Sequence, residues 1–317
     1  MVEGRAVRVT GSSVLAQSFA IDCQKAALQF AMIFDETIAC VGELLWDVLP
    51  DGRTLGGAPA NVAYHLGRLG HAATLVTRIG RDEPGHAARA ELAAHGIDVA
   101  DVQVDDALPT GAAHVTLDSL GRAAYRFVTP AAFDAIELPA YSPSVIVFGT
   151  LAQRDPRSAA TIRRMAAVAR VAVYDVNLRP PHTSIETVLA SLPFATAVKL
   201  SEEEVATLAV GLGSSAEHCA FAQHLSDRYG SQLVCITRGA GGAGLWAGGR
   251  WHDAAGIAAD TADTVGAGDA FVAALLAGWL EGRAPAESLE RANRLGAYVA
   301  ARRGAMPEYD ASVLGLR

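Results

Sequence analysis

A glycine-rich segment near residue 266 has the composition of a phosphate-binding helix start. It runs Asp263-Thr-Val-Gly-Ala-Gly-Asp269, and apolar residues at helical spacing follow it. Glycine lets the backbone approach a ligand closely, and the free amides of a first helical turn bind anions. Gly266, Ala267 and Gly268 therefore predict an anion site with the carboxylate of Asp269 beside it. The alternative is that Asp269 only caps the helix, but a cap does not account for the glycines or for Asp263.

A second glycine-rich helix start lies earlier in the chain, at Gly56-Gly-Ala-Pro-Ala-Asn61. Proline suits the first turn of a helix, and an apolar face follows. Asn61 then lies in the first turn beside Gly56 and Gly57, where its amide could hydrogen-bond a hydroxyl-rich ligand. The alternative is a surface amide, or one that bonds to the local backbone.

Missing motifs exclude several common chemistries. The only lysines are Lys25 and Lys199, and neither follows a glycine, so the chain has no Walker A loop and no protein-kinase signature set. HExxH and GxSxG are also absent, which leaves a metal hydrolase or a serine triad without local support. The run from Gly239 to Gly244 fits GxGxxG, but that fingerprint must open a helix, and residues 245–251 predict a hairpin instead. A nicotinamide oxidoreductase therefore ranks low.

The elements that position these segments follow an α/β pattern. Short β-branched runs, among them Ile38–Val41, Val145–Phe148 and Leu233–Thr237, alternate with helical patterns from Thr37 onward, which predicts a largely parallel central sheet flanked by helices. Residues 45–57 and 99–128 predict strands joined by turns at Asp51-Gly52 and Leu120-Gly121, without helices between them, and we expect these to form a small β-rich lid. Residues 37–317 are thus interpreted as one domain, and residues 1–36 as an N-terminal extension outside the fold.

Composition limits the class of protein further. Of the 317 residues, 51% are hydrophobic and 19% charged, which excludes a disordered chain. The net charge is −8 and no basic stripe is present, so a nucleic-acid partner is disfavoured. No apolar run approaches the ~18–20 residues of a membrane span. The four cysteines form no CxxC pair and are typical of thiols in a reducing compartment, which predicts a cytoplasmic protein.

The two glycine-rich helix starts, in this order, resemble the signature motifs of the ribokinase-like (PfkB) carbohydrate kinase family. The similarity extends from about residue 38 to residue 303, and intermediate segments agree with it: Gly42–Asp47, Arg78–Gly85, Asp175–Arg179 and Thr237–Gly242. The resemblance implies a ribokinase-like α/β fold. It also implies transfer of the γ-phosphoryl group of ATP to a sugar hydroxyl, with Mg²⁺ and K⁺ as the expected ions.

The resemblance assigns roles around the acceptor. Asp269 matches the base that removes the hydroxyl proton, and the amides of Gly266, Ala267 and Gly268 match the anion hole for the transferring phosphoryl group. Asp47 with Gly56, Gly57 and Asn61 would hold the sugar, although Asp47 alone could equally be a solvated turn carboxylate. Arg179 could clamp a phosphate oxygen or an acidic substrate group, or be a surface arginine.

The nucleotide is expected beyond the carboxyl ends of the later strands, where ligands of open α/β sheets collect. Thr237 and Gly239 match family positions that contact the ATP phosphates and ribose, and Gly242 ends the same loop. Asn293, on the last helix, is expected to approach the adenine.

Three further residues are expected near the phosphates and ions. Glu202 matches the acidic end of the family's Asn-x-x-Glu motif, which organises Mg²⁺ through water. Lys199 stands where that motif has asparagine, and it could contact a phosphate directly. Asp263 matches a position near a monovalent-cation loop. The alternatives are helix-start carboxylates for residues 202–204, and a capping role or a backbone hydrogen bond for Asp263.

The segments 175–181 and 199–204 resemble bacterial fructokinases, which predicts phosphorylation of fructose to fructose 6-phosphate. Kinases of 2-keto-3-deoxygluconate, ribose or nucleosides share the scaffold, and a non-catalytic sugar-binding protein of the same fold is a further alternative. The expected partners are ATP and a sugar, with neither nucleic acid nor membrane. A homodimer through the lid is a family expectation.

Overall fold

The structure is a computed structural model that describes residues 37–49, 52–117, 123–312 and 315. The predicted extension at residues 1–36 lies outside the described residues, as do the turn at residues 120–121 and Asp51 of the other predicted turn. In the described part of the chain, no helix has the length and hydropathy needed to cross a bilayer.

A nine-stranded sheet forms the centre of the molecule, in the order β13-β12-β11-β10-β9-β8-β1-β4-β5. The strands from β11 to β5 in this order run parallel, and β12 and β13 form an antiparallel hairpin at one edge. Their bounds are β1 Ile38–Val41, β4 Ala73–Gly80, β5 Val102–Asp105, β8 Val145–Phe148, β9 Val171–Asp175, β10 Ala197–Ser201, β11 Leu233–Thr237, β12 Ala243–Ala247 and β13 Arg250–Ala254. The predicted α/β class is confirmed.

Helices cover both faces of this sheet and enclose two separate apolar cores. They are α1 Ala58–Leu69, α2 Glu83–Ala94, α3 Pro156–Val168, α4 Ile185–Ser191, α5 Glu202–Leu212, α6 His218–Tyr229, α7 Ala267–Leu280 and α8 Pro285–Ala300. Buried side chains of α1, α2, α7 and α8 form the core on one face. Those of α3 to α6 form the core on the other. Helices on both faces of a parallel sheet are what right-handed crossovers produce.

A separate four-stranded sheet, called here the small sheet, has the order β3-β2-β6-β7. Its strands are β2 Leu45–Leu49, β3 Gly52–Gly56, β6 Gly111–Leu117 and β7 Ala123–Phe127. Pairing is antiparallel except between β2 and β6, which run parallel. One part of the sequence prediction was wrong: residues 102–105, placed within the lid, are strand β5 and pair with β4 at the edge of the large sheet.

The parallel strands share one carboxyl edge, and the chain leaves that edge at the segments singled out above. Asp175 is the last residue of β9, and Thr237 is the last residue of β11. The loop from Gly42 to Leu44 leaves β1 there and enters the small sheet. Side chains that are far apart in sequence are therefore brought together at one rim.

Candidate active site

Two adjoining cavities open at the carboxyl edge of the large sheet. The first, called here the small-sheet cavity, has a volume of about 270 Å³ and is lined by residues that include Asp47, Asn61 and Asp269. The second, the hairpin cavity, has a volume of about 550 Å³ and lies beside the loop that leads into β12. Thr264 and Gly268 line both cavities. The start of α7 therefore forms the boundary between two binding spaces.

The glycines before α7 give this boundary its backbone geometry. Gly266 is the residue before the helix, with a φ of +77°, a conformation that other residues rarely adopt. A Cβ on Gly266 would also lie 2.4 Å from the Cβ of Ala305. The helix begins at Ala267, and no side chain caps its first turn. Its first amides are therefore available to an anion, and the dipole of α7 favours one.

Asp269, the third residue of α7, is paired with the other predicted motif. The Nδ2 of Asn61 donates a hydrogen bond of 2.7 Å to Oδ2 of Asp269, across 208 positions of sequence. Both side chains are buried, with exposures of 3% for Asn61 and 8% for Asp269. This pairing excludes the alternative of a locally bonded surface amide, and the uncapped start of α7 excludes the simple cap.

Burial sets the protonation of Asp269. Loss of solvation raises the pKa of its carboxyl group to about 6, the hydrogen bond from Asn61 opposes this rise, and the charge of Asp175 adds to it. A carboxylate with a pKa near the working pH is suited to accept a proton from an alcohol. The geometry at the boundary of the two cavities can therefore support general-base chemistry.

The small sheet supplies the opposite wall of the small-sheet cavity. Asp47, on β2, lines it, and burial raises the pKa of its carboxyl group to about 6 while Arg179 opposes the rise. A Cβ on Gly56 would lie 2.7 Å from Oδ2 of Asp47, so a side chain there would displace this carboxylate. A Cβ on Gly57 would lie 2.5 Å from the carbonyl oxygen of Glu43. The structure thus brings the predicted sugar-side residues together in one cavity.

Lys199, predicted on the nucleotide side, lines the small-sheet cavity instead. Its Nζ lies 3.1 Å from Oδ1 of Asp175, and a Cβ on Gly268 would lie 3.5 Å from the same nitrogen. Burial lowers the pKa of Lys199, but the charges of Asp175 and Glu204 outweigh burial and raise it above its usual value. A fixed positive charge is therefore held next to the first turn of α7.

Four of the other residues predicted on the nucleotide side line the hairpin cavity: Thr237, Gly239, Gly242 and Asn293. The Nδ2 of Asn293 donates to the carbonyl oxygen of Ala255 at 3.2 Å. A Cβ on Gly242 would lie 2.2 Å from the carbonyl oxygen of Ala254, so this turn must pack closely against the segment after β13. The predicted hairpin is confirmed, because β12 and β13 follow the GxGxxG run and no helix does.

Two predicted ion-binding residues lie outside both cavities. Glu202 is exposed in the first turn of α5. Glu204 lies inward instead, and its carboxylate accepts hydrogen bonds from the amides of Ser201 at 2.8 Å and Leu178 at 2.6 Å. Asp263 accepts hydrogen bonds from the amides of Val265 and Gly304, as the alternative of a backbone hydrogen bond predicted, and it does not cap α7.

Arg179 extends toward the small-sheet cavity from an exposed loop after β9. Its Nη1 donates to the carbonyl oxygen of Leu178 at 3.0 Å. Its charge opposes the raised pKa of Asp47, Asp269 and Glu43, so it lies within electrostatic reach of all three carboxyl groups.

No role was predicted for several residues that line the small-sheet cavity, among them Glu43, Phe127, Asp175, Asn177 and Thr264. All of these except Phe127 lie within the segments that carried the resemblance, which was the available signal. Among non-glycine residues in the described part of the chain, Asn177 has a positive φ, of 41°. Such a conformation at a cavity wall is typical of functional loops.

Comparisons with known proteins agree with this geometry. The model of the pfkB family carbohydrate kinases matches residues 34–311. A fructokinase from Escherichia coli is 30% identical over 291 residues, which cover 84% of this chain and 94% of the relative.

Solved structures show the same likeness. The ATP-bound fructokinase from Xylella fastidiosa superimposes with a TM-score of 0.78 at 25% identity, over 89% of this chain and 98% of that one. A double mutant of the fructokinase from Vibrio cholerae O395, bound to fructose, ADP and potassium ion, gives 0.75 at 26% identity, over 86% and 94% of the two chains.

The fold and the site define a phosphotransferase that uses an alcohol group as acceptor. The chain belongs to the pfkB family of carbohydrate kinases.

Proposed function

We propose that this sugar kinase phosphorylates fructose, giving fructose 6-phosphate at the expense of ATP. The observation that supports it most is the position of the buried Asp269 carboxylate, beside the uncapped start of α7 where the two cavities meet. The fructokinase relatives and neighbours support fructose as the acceptor. The segments at 175–181 and 199–204 point to the same sugar.

The mechanism follows from the arrangement of groups. The sugar lies in the small-sheet cavity against Asp47 and Asn61, with the reacting hydroxyl at Asp269. Asp269 takes the hydroxyl proton as the oxygen attacks the terminal phosphorus of ATP, the bond from that phosphorus to the bridging oxygen breaks, and ADP leaves with the electron pair. The amides of residues 266–268 and the charge of Lys199 stabilise the phosphoryl group during transfer, which is the main demand of this chemistry.

ATP would bind in the hairpin cavity, with its terminal phosphate directed to the start of α7. The cavity fits this ligand because it has a volume of about 550 Å³ and shares Gly268 with the acceptor side. Mg²⁺ is usually held by phosphate oxygens, waters and one or two carboxylates. Glu202 remains the proposed water-mediated partner, at the outer rim of the site.

K⁺ is proposed at the loop of Asp263. The potassium-bound fructokinase neighbour from Vibrio cholerae O395 supports an ion of this type. Activity measured in potassium chloride should exceed activity in choline chloride at the same ionic strength, and equal rates would contradict the proposal.

The small sheet is proposed to act as a lid that excludes water, and as the surface of a homodimer. Its outer strands in the described part of the chain, β3 and β7, are the edges through which a second copy could pair. Sedimentation of a monomer at micromolar concentration would contradict the dimer.

The test is ATP consumption with Mg²⁺ against fructose, ribose, 2-keto-3-deoxygluconate and nucleosides. We expect fructose to give the highest kcat/KM, and turnover of none of them would favour a non-catalytic binding protein.

Asp269→Asn should lower kcat by roughly 10²–10⁴-fold, the usual contribution of a general base, with sugar and ATP affinity retained. Asp227→Asn, an exposed carboxylate on α6, is the matched control and should leave kcat unchanged. Near-normal turnover by Asp269→Asn would overturn the role of this residue.

A further inference from the structure

Glu43 is a buried carboxyl group in the small-sheet cavity that the mechanism above does not use. It lies in the loop between β1 and β2, and its exposure is 5%. Its Oε2 has no hydrogen-bond partner among the described residues. Buried polar atoms in folded proteins are nearly always paired, so an unpaired one at the wall of a binding cavity calls for a ligand.

The backbone of this loop is held on both sides. Oγ1 of Thr77 donates to the carbonyl oxygen of Gly42 at 2.7 Å, and the amide of Gly42 donates to the carbonyl oxygen of Val76 at 3.2 Å. On the other side, the missing side chain of Gly57 lets the start of α1 pack against the carbonyl oxygen of Glu43. The Glu43 carboxyl group is thus presented from a fixed backbone, as a substrate-binding group requires.

The charges around Glu43 favour an uncharged ligand. The described residues that line the cavity include the carboxyl groups of Glu43, Asp47, Asp175 and Asp269, and the cations Lys199 and Arg179. Lys199 is paired with Asp175. The charge of Lys199 also acts on Asp269, but the four carboxyl groups outnumber the two cations, and a ligand that carried its own carboxylate would add a further negative charge to a buried site.

Burial raises the pKa of Glu43 to about 7, and the charge of Asp269 adds to this, while the amides of Glu43 and Ala152 and the charge of Arg179 oppose it. Either protonation state can bond to a hydroxyl group: the carboxylate accepts a hydrogen bond and the acid donates one. An alcohol is the partner that suits both states.

We infer that Glu43 is a specificity-determining residue of the acceptor site, whose free oxygen bonds a sugar hydroxyl and whose carboxyl group selects uncharged sugars over sugar acids. This inference rests on the proposed function, because it assumes that the small-sheet cavity holds the acceptor. It decides between two of the candidate acceptor classes, since 2-keto-3-deoxygluconate carries a carboxylate and fructose does not.

The test compares Glu43→Ala and Glu43→Gln with the wild type at pH 8, where the native carboxyl group is largely ionised. Glu43→Ala should raise the KM for fructose at least tenfold and leave the KM for ATP within about twofold. Glu43→Gln keeps the shape and the hydrogen bond, so the KM for fructose should stay within about threefold. The preference for fructose over 2-keto-3-deoxygluconate should fall at least tenfold in this variant, because the repelling charge is gone. Glu290→Gln, an exposed residue of α8, is the control.

Three results would overturn the inference: an unchanged KM for fructose in Glu43→Ala, equal losses for both sugars and ATP, or unchanged discrimination in Glu43→Gln. Calorimetric binding of ATP to each variant shows whether its fold is retained, and Glu43→Gln keeps the test decisive if Glu43→Ala unfolds. If the wild type phosphorylates another uncharged sugar, fructose is wrong as the substrate and Glu43 is tested with that sugar. If the wild type prefers a sugar acid, the role of Glu43 is overturned while the kinase activity stands.

Discussion

At the scale of single residues, the pair formed by Asn61 and Asp269 connects the two glycine-rich helix starts. Asn61 comes from α1 and Asp269 from α7, and the bond between them is buried. A buried carboxylate keeps its charge more easily when a donor bonds to it, which is why Asn61 opposes the rise in the pKa of Asp269. In the proposed mechanism, the two motifs therefore act on the same proton.

The pH dependence of catalysis follows from this pair. Asp269 must be ionised to accept a proton, so kcat/KM should be full above its pKa and fall as the pH drops through about 6. Asn61→Ala removes the donor that stabilises the carboxylate, so the acid limb of the profile should move to higher pH. An acid limb that stays in place, or moves to lower pH, in this variant would contradict the assignment.

Ionisation of Asp269 should affect stability in the opposite direction to catalysis: the charged form is needed for proton transfer, but it lowers the free energy of unfolding. The folded-state pKa of Asp269 is about 6 and its ordinary value is 3.8, so ionisation costs stability as the pH rises between these values. Asp269→Asn should therefore be more stable than the wild type at pH 8, by up to about 3 kcal/mol, and equally stable below about pH 4. Urea unfolding at both pH values measures this. A variant that is less stable at pH 8 would show that the native charge is compensated more fully than its burial suggests.

At the scale of elements, the start of α7 depends on a backbone conformation that only glycine provides without strain. Gly266 before the helix and Gly282 after it both have positive φ, of 77° and 70°. A Cβ on Gly282 would meet open space, whereas one on Gly266 would strike Ala305. The two glycines therefore form a matched pair that separates backbone strain from disruption of the anion site.

Gly266→Ala should lose activity and Gly282→Ala should not. Each places alanine in the left-handed region, which should cost about 1–2 kcal/mol of unfolding free energy, and contact with Ala305 should add to the cost of Gly266→Ala. Only Gly266→Ala displaces the first amides of α7, so its kcat should fall by roughly 10²-fold, as for loss of one oxyanion donor. Thermal unfolding and steady-state kinetics on both variants test this. Equal kcat values in the two variants would show that the amides of α7 do not bind the transferring group.

The bounds of continuous apolar strands could be predicted from the sequence. Features that depend on which strand or residue pairs with which other could not. The predicted strands at 38–41, 145–148 and 233–237 have the same bounds in the structure, because continuous apolar runs identify buried strands. Strand β5 was misplaced because its local pattern does not encode its partner, β4. Among the three glutamates that begin α5, only the third reaches back to the amide of the capping residue, Ser201. A capping box centred on Ser201 would have indicated that Glu204, rather than Glu202, lies inward.

At the scale of the whole molecule, a buried ion pair joins the segment that follows β7 of the small sheet to the segment that follows β8 of the large sheet. The chain leaves β7 and forms a turn that contains Asp134, and Arg154 follows β8 of the large sheet. The Nε of Arg154 lies 2.8 Å from Oδ1 of Asp134, and Nη2 donates to the carbonyl oxygen of Val128 at 2.7 Å. The guanidinium also lies 4.5 Å from the ring centre of Phe133. Arg154 thus fixes the segment next to Phe127, which lines the small-sheet cavity.

Loss of this connection should affect stability and sugar binding together. Arg154→Leu leaves the carboxylate of Asp134 buried without its partner, which should cost about 3–5 kcal/mol of unfolding free energy. It also frees the segment at Phe127, so the KM for sugar should rise more than the KM for ATP.

Arg157→Leu is the matched control, because Arg157 pairs with Asp155 at the surface, with side-chain exposures of 55% and 26%. That variant should change stability by no more than about 0.5 kcal/mol. The double variant Arg154→Leu with Asp134→Leu removes both charges and should recover part of the lost stability while the KM for sugar stays high. If the double variant restores sugar binding as well, the unpaired charge, and not the loss of the link between the sheets, is what disturbs the site.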